Sequence, residues 1–346
     1  MEATMRVASL TDVGEMEVED RERPEPNPNE VLLRVGACGI CTTDLHMYHG
    51  DFAVDFPVVP GHESAGTVTE IGDDVTRVES GDRVAMNPTV SCGSCSYCKR
   101  GETNLCENAA SIGGAADRVF DGSFAEYVLV PEANVEPVDD MPFRHAALAE
   151  PLGCCVHAAD RSGVGQADSV ALIGAGPIGL LLLQTLRNRG AGPIAVSELD
   201  PKRRELAAEM GADLVVDPEA GDPVETIREE IGEVDAGIEV VGLVPTIEQA
   251  HEVTAKGGTT LIVGVPRQDV AMEIKPFDLF YNDLDLRGTF ALTQDSFQRA
   301  VSLLRQGRID VDPLITEEVG LEGITTAFEQ MENNDGLKKI VVPGAD

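Results

Sequence analysis

Four cysteines, Cys92, Cys95, Cys98 and Cys106, are spaced C-x2-C-x2-C-x7-C, and no other feature restricts the fold as tightly. Thiolates this close in sequence can close a tetrahedral S4 cage around one Zn²⁺. Such a cage ties its whole segment to a point and leaves no open coordination position, so the metal would build structure and do no chemistry. The rival readings are an iron–sulfur cluster and a pair of disulfides. The ferredoxin run C-x2-C-x2-C-x3-C-P does not fit, because here the last gap is seven residues and Glu107 follows it. Clustered cysteines behind a start (Met-Glu-Ala-Thr-Met-Arg) that lacks the pattern of a signal peptide read as metal ligands in a reducing compartment. A cytoplasmic location is therefore expected.

A length of 346 residues suggests two domains. Up to about residue 150 the chain reads as β-rich, with short apolar runs such as Val31–Val35, Ser64–Ile71, Arg83–Met86 and Phe124–Val130 separated by Gly, Pro, Asn and Asp. The cysteine lobe interrupts them at about 88–110. Beyond residue 150 the character changes. Ser169–Ile173 is a continuous apolar run, as expected of a strand buried on both faces of a parallel sheet, and a leucine-rich helix follows it. Ile194–Glu198, Lys202–Gly211, Ala236–Val241 and Thr259–Gly264 continue the alternation of strand and helix, and Asp295–Gln306 reads as a further helix. Alternation of this kind means an α/β, doubly wound parallel sheet.

Gly174-Ala-Gly-Pro-Ile-Gly sits between the first buried strand and its helix. Gly174 permits the tight turn, Gly176 lets backbone approach a pyrophosphate, and Gly179 lets helix and strand pack closely, with Pro177 and Ile178 opening the helix. Glu198, at the end of the next strand, can accept hydrogen bonds from a ribose diol and would repel a 2′-phosphate. NAD is expected ahead of NADP. Arg203 and Arg204 lie just beyond; they are either solvated helix arginines or, for Arg203, a cofactor contact.

Three fragments stand apart from the cysteine lobe: Cys38-Gly-Ile-Cys-Thr-Thr-Asp-Leu-His46, Pro60-Gly-His-Glu-Ser-Ala-Gly66 and Ala149-Glu-Pro-Leu-Gly153. Cys41, His62 and a carboxylate would offer a second Zn²⁺ a mixed S/N/O set with a position left open for substrate. An open zinc polarises an alcohol oxygen, and a nicotinamide accepts the hydride.

Together with Asp121-Gly-Ser-Phe-Ala-Glu-Tyr127 and the terminal Lys-Ile-Val-Val-Pro343, these motifs resemble the zinc-dependent medium-chain alcohol/polyol dehydrogenases, the superfamily of alcohol, sorbitol and threonine dehydrogenases, over almost the full length. The resemblance implies an irregular, GroES-like β-barrel catalytic domain (1–151 and 289–346) and a Rossmann NAD domain (152–288). It implies Cys41 and His62 as catalytic-zinc ligands, with Glu63, Glu150 or a water completing the shell. Glu150 stands where classical alcohol dehydrogenases carry a second cysteine, a substitution that resembles the sorbitol and sugar dehydrogenases. Asp44 would orient His62, Thr43 would take the substrate proton, and His46 would pass it on to solvent. Cys38, Cys154 and Cys155 read as core thiols, and His49, His145, His157 and His251 as packing or surface residues. Lys338 and Lys339 read as a cofactor contact or a solvated basic pair. A homodimer or homotetramer is implied.

The expected reaction is NAD-linked oxidation of a secondary alcohol on a polyol, sugar or sugar acid, Glu150 and the small number of aromatics arguing against a pocket for large apolar alcohols. The alternatives are L-threonine 3-dehydrogenase, an aldose 1-dehydrogenase, and a non-catalytic nucleotide-binding zinc protein, which would have lost the open metal set. The charge balance bears on partners. With 61 acidic against 26 basic residues, a net of −35, the chain would repel nucleic acid and anionic membrane. No run approaches the ~18 apolar residues of a membrane span. The acids are dispersed along the chain, which reads as the coat of a folded protein from a salt-loaded cytoplasm, a halophile's.

Overall fold

A computed structural model of the protein describes residues 4–344. The chain divides into two compact units, one running up to Gly153 and resuming at Leu292, the other comprising Cys154–Ala291.

The first unit is built on a seven-stranded sheet whose central member is the strand Glu30–Gly39. One edge of that strand pairs antiparallel with Glu63–Ile71. Its other edge is shared, Tyr127–Pro131 pairing with residues 30–34 and the terminal strand Lys338–Val341 with residues 38 and 39. Two register shifts, at Leu32/Leu33 and Val35/Ala37, bend the central strand, so the sheet is the irregular barrel-like layer the sequence implied. Alternate residues Val31, Leu33 and Val35 point into one core with Phe124, Val128 and Phe328, as period-two alternation requires. An antiparallel hairpin, Thr4–Asp12 with Glu15–Glu22, adds a further layer. The cysteine lobe carries its own three-stranded sheet of Thr89–Val90, Ala110–Ile112 and Val119–Phe120. Its Thr103 Oγ1 accepts the backbone N–H of Gln294, which opens the helix Gln294–Arg305.

The second unit is a six-stranded, all-parallel sheet in the order Leu214–Val216, Ile194–Ser197, Val170–Ile173, Val234–Glu239, Thr254–Ile262, Asp285–Gly288. This is the doubly wound dinucleotide order, reversing direction at Val170–Ile173. All four residues of that strand are buried, which explains why it reads as an unbroken apolar run. The helix Pro177–Arg189 follows it and buries Leu180–Leu183 and Leu186. Among the described residues, no helix is long and apolar enough to cross a membrane.

Candidate active site

The metal-ligating side chains of the first unit fall into two groups. In the lobe, the sulfurs of Cys92, Cys95, Cys98 and Cys106 all lie within 4.8 Å of one another. A ZnS4 tetrahedron with bonds of ~2.3 Å has edges of about 3.8 Å, and Cys95–Cys98 and Cys92–Cys98 lie at 3.5 and 4.0 Å. Backbone N–H groups already point at these sulfurs: Cys92 to Cys106, Cys95 to Cys92, Cys98 to Cys95. The Cys92 thiol is pulled down to about 5, first by the backbone N–H and then by the hydroxyl of Ser94. Burial and the neighbouring sulfurs push Cys98 up to about 12. Sulfurs converging this closely, ringed by N–H donors, fit a structural Zn²⁺.

The second group is Cys41, His62 and Glu63, each offering one ligand atom within 4.8 Å of the others. Cys41 is the N-cap of the helix Thr42–His49, and its backbone N–H donates to Asp44 Oδ2 at 2.8 Å, a capping box that sets the turn. Asp44 is fully buried, and its Oδ1 accepts from Gly61 N–H at 3.2 Å. That second contact carries the Asp44 carboxylate across to the next fragment. There it faces His62 Nδ1 at 3.3 Å, near enough for charge attraction but out of line for a good hydrogen bond. Burial opposes the imidazolium form of His62; the Asp44 charge, followed by contacts with Asp44 and Cys41, outweighs burial and holds the ring well above its ordinary pKa. A pocket that favours positive charge so strongly between a thiol, an imidazole and carboxylates fits a metal cation as it fits a proton.

Thr43 is half-buried on the same helix. His46 is partly exposed one turn on; its Nδ1 pairs with Asp51 Oδ2 at 2.8 Å and its ring packs on Phe52. Glu150 is buried near the start of the helix Ala149–Ser162 but is not a member of the close group. Cys38 is buried, with its thiol raised by burial. The surface histidines are held by carboxylates, His49 by Glu332 and His145 by Asp312, each at 2.7 Å.

Lys338 and Lys339 correct one of the two readings made of them: at 4 % and 2 % exposure they are not a solvated basic pair. Lys339 pairs with Glu317 at 2.8 Å. Lys338 Nζ donates to both Glu63 oxygens, at 2.7 and 2.8 Å, and to Ile40 O at 3.0 Å. No short motif announces this contact, because the partners are far apart in sequence and meet only through the sheet.

In the second unit the glycine loop stands at the carboxyl ends of the parallel strands, where such sheets bind ligands. Gly174 has φ +108°, in the left-handed region. A Cβ at Gly179 would lie 2.3 Å from Gly174 O, so helix and strand touch through that glycine. Nothing lies within 4 Å of a Cβ at Gly176, which therefore faces open space that a ligand can enter. Glu198 accepts from Ala175 N–H at 2.7 Å and Asp200 N–H at 2.9 Å, locking the acid beside the loop. Arg204 is committed elsewhere, to Glu198 O, Leu199 O and Asp217. Arg203 sits in the first turn of the helix Pro201–Glu209, its N–H capped by Asp200. The sequence reading misses Glu239, a fully buried acid closing the strand Val234–Glu239. Its Oε1 accepts from Val241 N–H, Gly242 N–H and Thr246 Oγ1, which shapes the loop opposite Gly174. An acid ending an apolar strand is the one signal the sequence carries.

The alcohol dehydrogenase GroES-like domain matches residues 27–140, and the zinc-binding dehydrogenase domain matches residues 177–306. The sorbitol dehydrogenase of Bacillus subtilis is 33 % identical, over 98 % of this chain and 97 % of its own. The D-altritol 5-dehydrogenase of Agrobacterium fabrum is 32 % identical, over 90 % of this chain and 92 % of its own. Among solved structures, a zinc-binding dehydrogenase of Sinorhizobium meliloti 1021 with NADP bound superposes with a TM-score of 0.93 at 38 % identity, covering 99 % of this chain and all of that one. The chain belongs to the zinc-dependent medium-chain alcohol/polyol dehydrogenases. It is accordingly an oxidoreductase of CH–OH donors.

Proposed function

We propose that the protein oxidises a secondary alcohol of a polyol, sugar or sugar-acid derivative to the ketone with NAD, using a catalytic Zn²⁺ at Cys41 and His62 and a structural Zn²⁺ in the cysteine lobe. The observation that carries this reading is the close group of half-buried Cys41 with buried His62 and Glu63, in a chain that also keeps the cysteine lobe intact. When bound, the catalytic zinc would supply polarisation of the alcohol oxygen and the nicotinamide an acceptor for hydride.

The remaining work falls to the chain. The buried Asp44 carboxylate attracts His62 Nδ1 from 3.3 Å and so favours the ring orientation that leaves the other nitrogen for coordination. Thr43 takes the proton of the substrate hydroxyl. His46, oriented by Asp51 and partly exposed, passes it on to solvent. Substrate class is supported by Glu150 in place of a soft sulfur ligand and by relatives described as sorbitol and D-altritol dehydrogenases.

NAD is favoured over NADP because Glu198 is held beside the loop while Arg204 is tied to Asp217 and backbone carbonyls, away from any 2′-phosphate. Arg203 completes the cofactor set with Gly174, Gly176, Pro177, Ile178 and Gly179. The described unit formed by Cys154–Ala291 is the NAD domain in this reading, and the other unit is catalytic. Phe277, Phe280, Tyr281 and Phe290 stand mostly exposed on the NAD domain and support a homo-oligomer formed through it. The −35 charge supports a salt-loaded cytoplasm, since the screening length falls from about 8 Å at physiological ionic strength to about 3 Å at 1 M salt.

The test is NADH formation at 340 nm in concentrated KCl across polyols, aldoses, sugar acids and L-threonine, repeated with NADP and accompanied by a zinc count. Turnover on a polyol or sugar acid with NAD, and two zinc ions per chain, are expected. Turnover on threonine alone, or on aldoses alone, replaces the substrate reading.

A further inference from the structure

The chain re-enters the first unit at Leu292, and Gln294 opens the helix Gln294–Arg305 just beyond. The first backbone N–H groups of a helix have no partner within it. A capping box of Thr293 and Ser296 satisfies the N–H of Ser296 and leaves that of Gln294 for an outside acceptor. That acceptor is Thr103 Oγ1, at 3.0 Å. The Gln294 side chain follows the same direction. Its Oε1 accepts from Asn87 Nδ2 at 2.7 Å, and its Nε2 donates to Ala133 O at 3.2 Å.

Each partner is tied to the cysteine lobe. Thr103 O accepts the backbone N–H of the ligand candidate Cys106 at 3.2 Å. Asn87 is buried at the base of the lobe, and its Oδ1 accepts from Thr89 N–H at 3.0 Å. Asn134, buried next to Ala133, donates to Asn87 O and Thr89 O, both at 2.8 Å. The arm that enters the lobe therefore reaches Gln294 through Asn87, and the arm that leaves it through Thr103. What holds the two arms in register is short of backbone: the lobe's strands are only Thr89–Val90, Ala110–Ile112 and Val119–Phe120. Four thiolates closing on one ion would supply the missing constraint.

The same helix start is packed against Gly153, where a Cβ would lie 2.9 Å from Leu292 Cδ1 and 3.4 Å from Phe297 Cα. Gly153 belongs to the helix Ala149–Ser162, which carries the buried Glu150 in its first turn. We propose that Gln294 is a positioning residue that couples metal occupancy of the cysteine lobe to the start of the helix Gln294–Arg305, and through it to the seat of the helix carrying Glu150. Loss of the lobe's metal loosens both arms and releases the helix start. By linkage, loss of the Gln294 contacts weakens the metal by the same factor. This rests on the structural-zinc reading above and goes beyond it, because it gives that ion an effect outside its own loop and names the residue that carries it.

The test is made on the full chain carrying Cys41→Ser, so that the lobe is the remaining candidate zinc site. Backbone hydrogen exchange is read with zinc bound and after chelation. The amides of Gln294 and Asp295 should exchange at least about tenfold faster without zinc. Those of the helix Ile324–Glu332, in the same unit, should keep their rates. In this background Gln294→Ala should bind zinc about tenfold more weakly in a chelator competition, as the lost hydrogen bonds require. Gln298→Ala, on the same helix but bonded to Glu136, should leave zinc affinity unchanged. Exchange at Gln294 that ignores the zinc overturns the proposal. So does exchange that rises equally in both helices, for the ion would then hold the whole unit. Unchanged affinity in a folded Gln294→Ala variant overturns it as well. Where that variant does not fold, Thr103→Val, which removes the acceptor of the Gln294 N–H, takes its place with the same expectation. A Cys41→Ser chain that binds no zinc, or whose zinc survives a further Cys95→Ser, overturns the structural-zinc reading itself, and the coupling with it, and is recognised before exchange is measured.

Discussion

Replacing Gly39 by alanine should destabilise the first unit, although the same change in a strand with room for a methyl group ordinarily gains ~0.5–1 kcal/mol. The Gly39 backbone is ordinary strand, so the new residue meets no conformational penalty. Its Cβ, however, would lie 2.1 Å from Glu63 Oε2, against the roughly 3.4 Å of an ordinary contact, and the carboxylate must move by about 1 Å. Contacts of 2.7 and 2.8 Å to Lys338 do not survive such a shift in a packed interior. Breaking one side of a buried ion pair costs about 3–5 kcal/mol. Crediting the ordinary alanine gain leaves a net loss of roughly 2–4 kcal/mol. Urea unfolding in concentrated KCl, followed by tyrosine emission, measures it. The chain has no tryptophan, and of its four tyrosines Tyr48, Tyr97 and Tyr127 belong to the affected unit. Gly221→Ala, with nothing within 4 Å of its Cβ, is the control and should stay within about 0.5 kcal/mol of wild type. A Gly39→Ala protein as stable as wild type would refute the reasoning that the Glu63 side chain reaches Lys338 through the space left at Gly39.

Two further outcomes are expected. Gly176→Ala meets no protein atom within 4 Å and should leave thermal stability unchanged while weakening NAD binding at least about tenfold in a fluorescence titration, whereas Gly179→Ala, 2.3 Å from Gly174 O, should lower stability itself. Asp200 caps the helix Pro201–Glu209 through the backbone N–H of Arg203 and then that of Lys202, which hold its carboxyl below the usual range. A carboxyl depressed in the folded state adds stability above its unfolded pKa of about 3.9 and loses it as pH falls through the folded value. Asp200→Ala should therefore cost about 1 kcal/mol at pH 7, and the gap to wild type should shrink below about pH 4 in pH-dependent melting. A gap that holds constant through acid would remove the charge from the explanation.

Whatever depends on local spacing is legible in the sequence. The cysteine lobe, the glycine loop, Cys41 at the N-cap and Asp44 three residues on all lie within a turn or two of their partners, so sequence distance stands in for spatial distance. The buried strand Val170–Ile173 is readable because burial on both faces leaves no polar alternation. The edge strand Asp285–Gly288 is not, because it is short, largely polar and defined only by its neighbour Thr254–Ile262. In the sequence Glu239 looks like any acid at the end of a strand; only in the fold do its oxygens turn the Val241–Gly242 loop. By itself the sequence determined the α/β class, the cysteine lobe and the dinucleotide loop, since each is written in short-range spacing, whereas Cys41 and His62 lie far apart in the chain and were paired through the family resemblance. Only the tertiary structure decided how Glu63 is held. Two register pairings stack Glu63, Gly39 and the terminal strand across one sheet, and an ion pair between residues 63 and 338 is a property of that stacking, which no local pattern encodes.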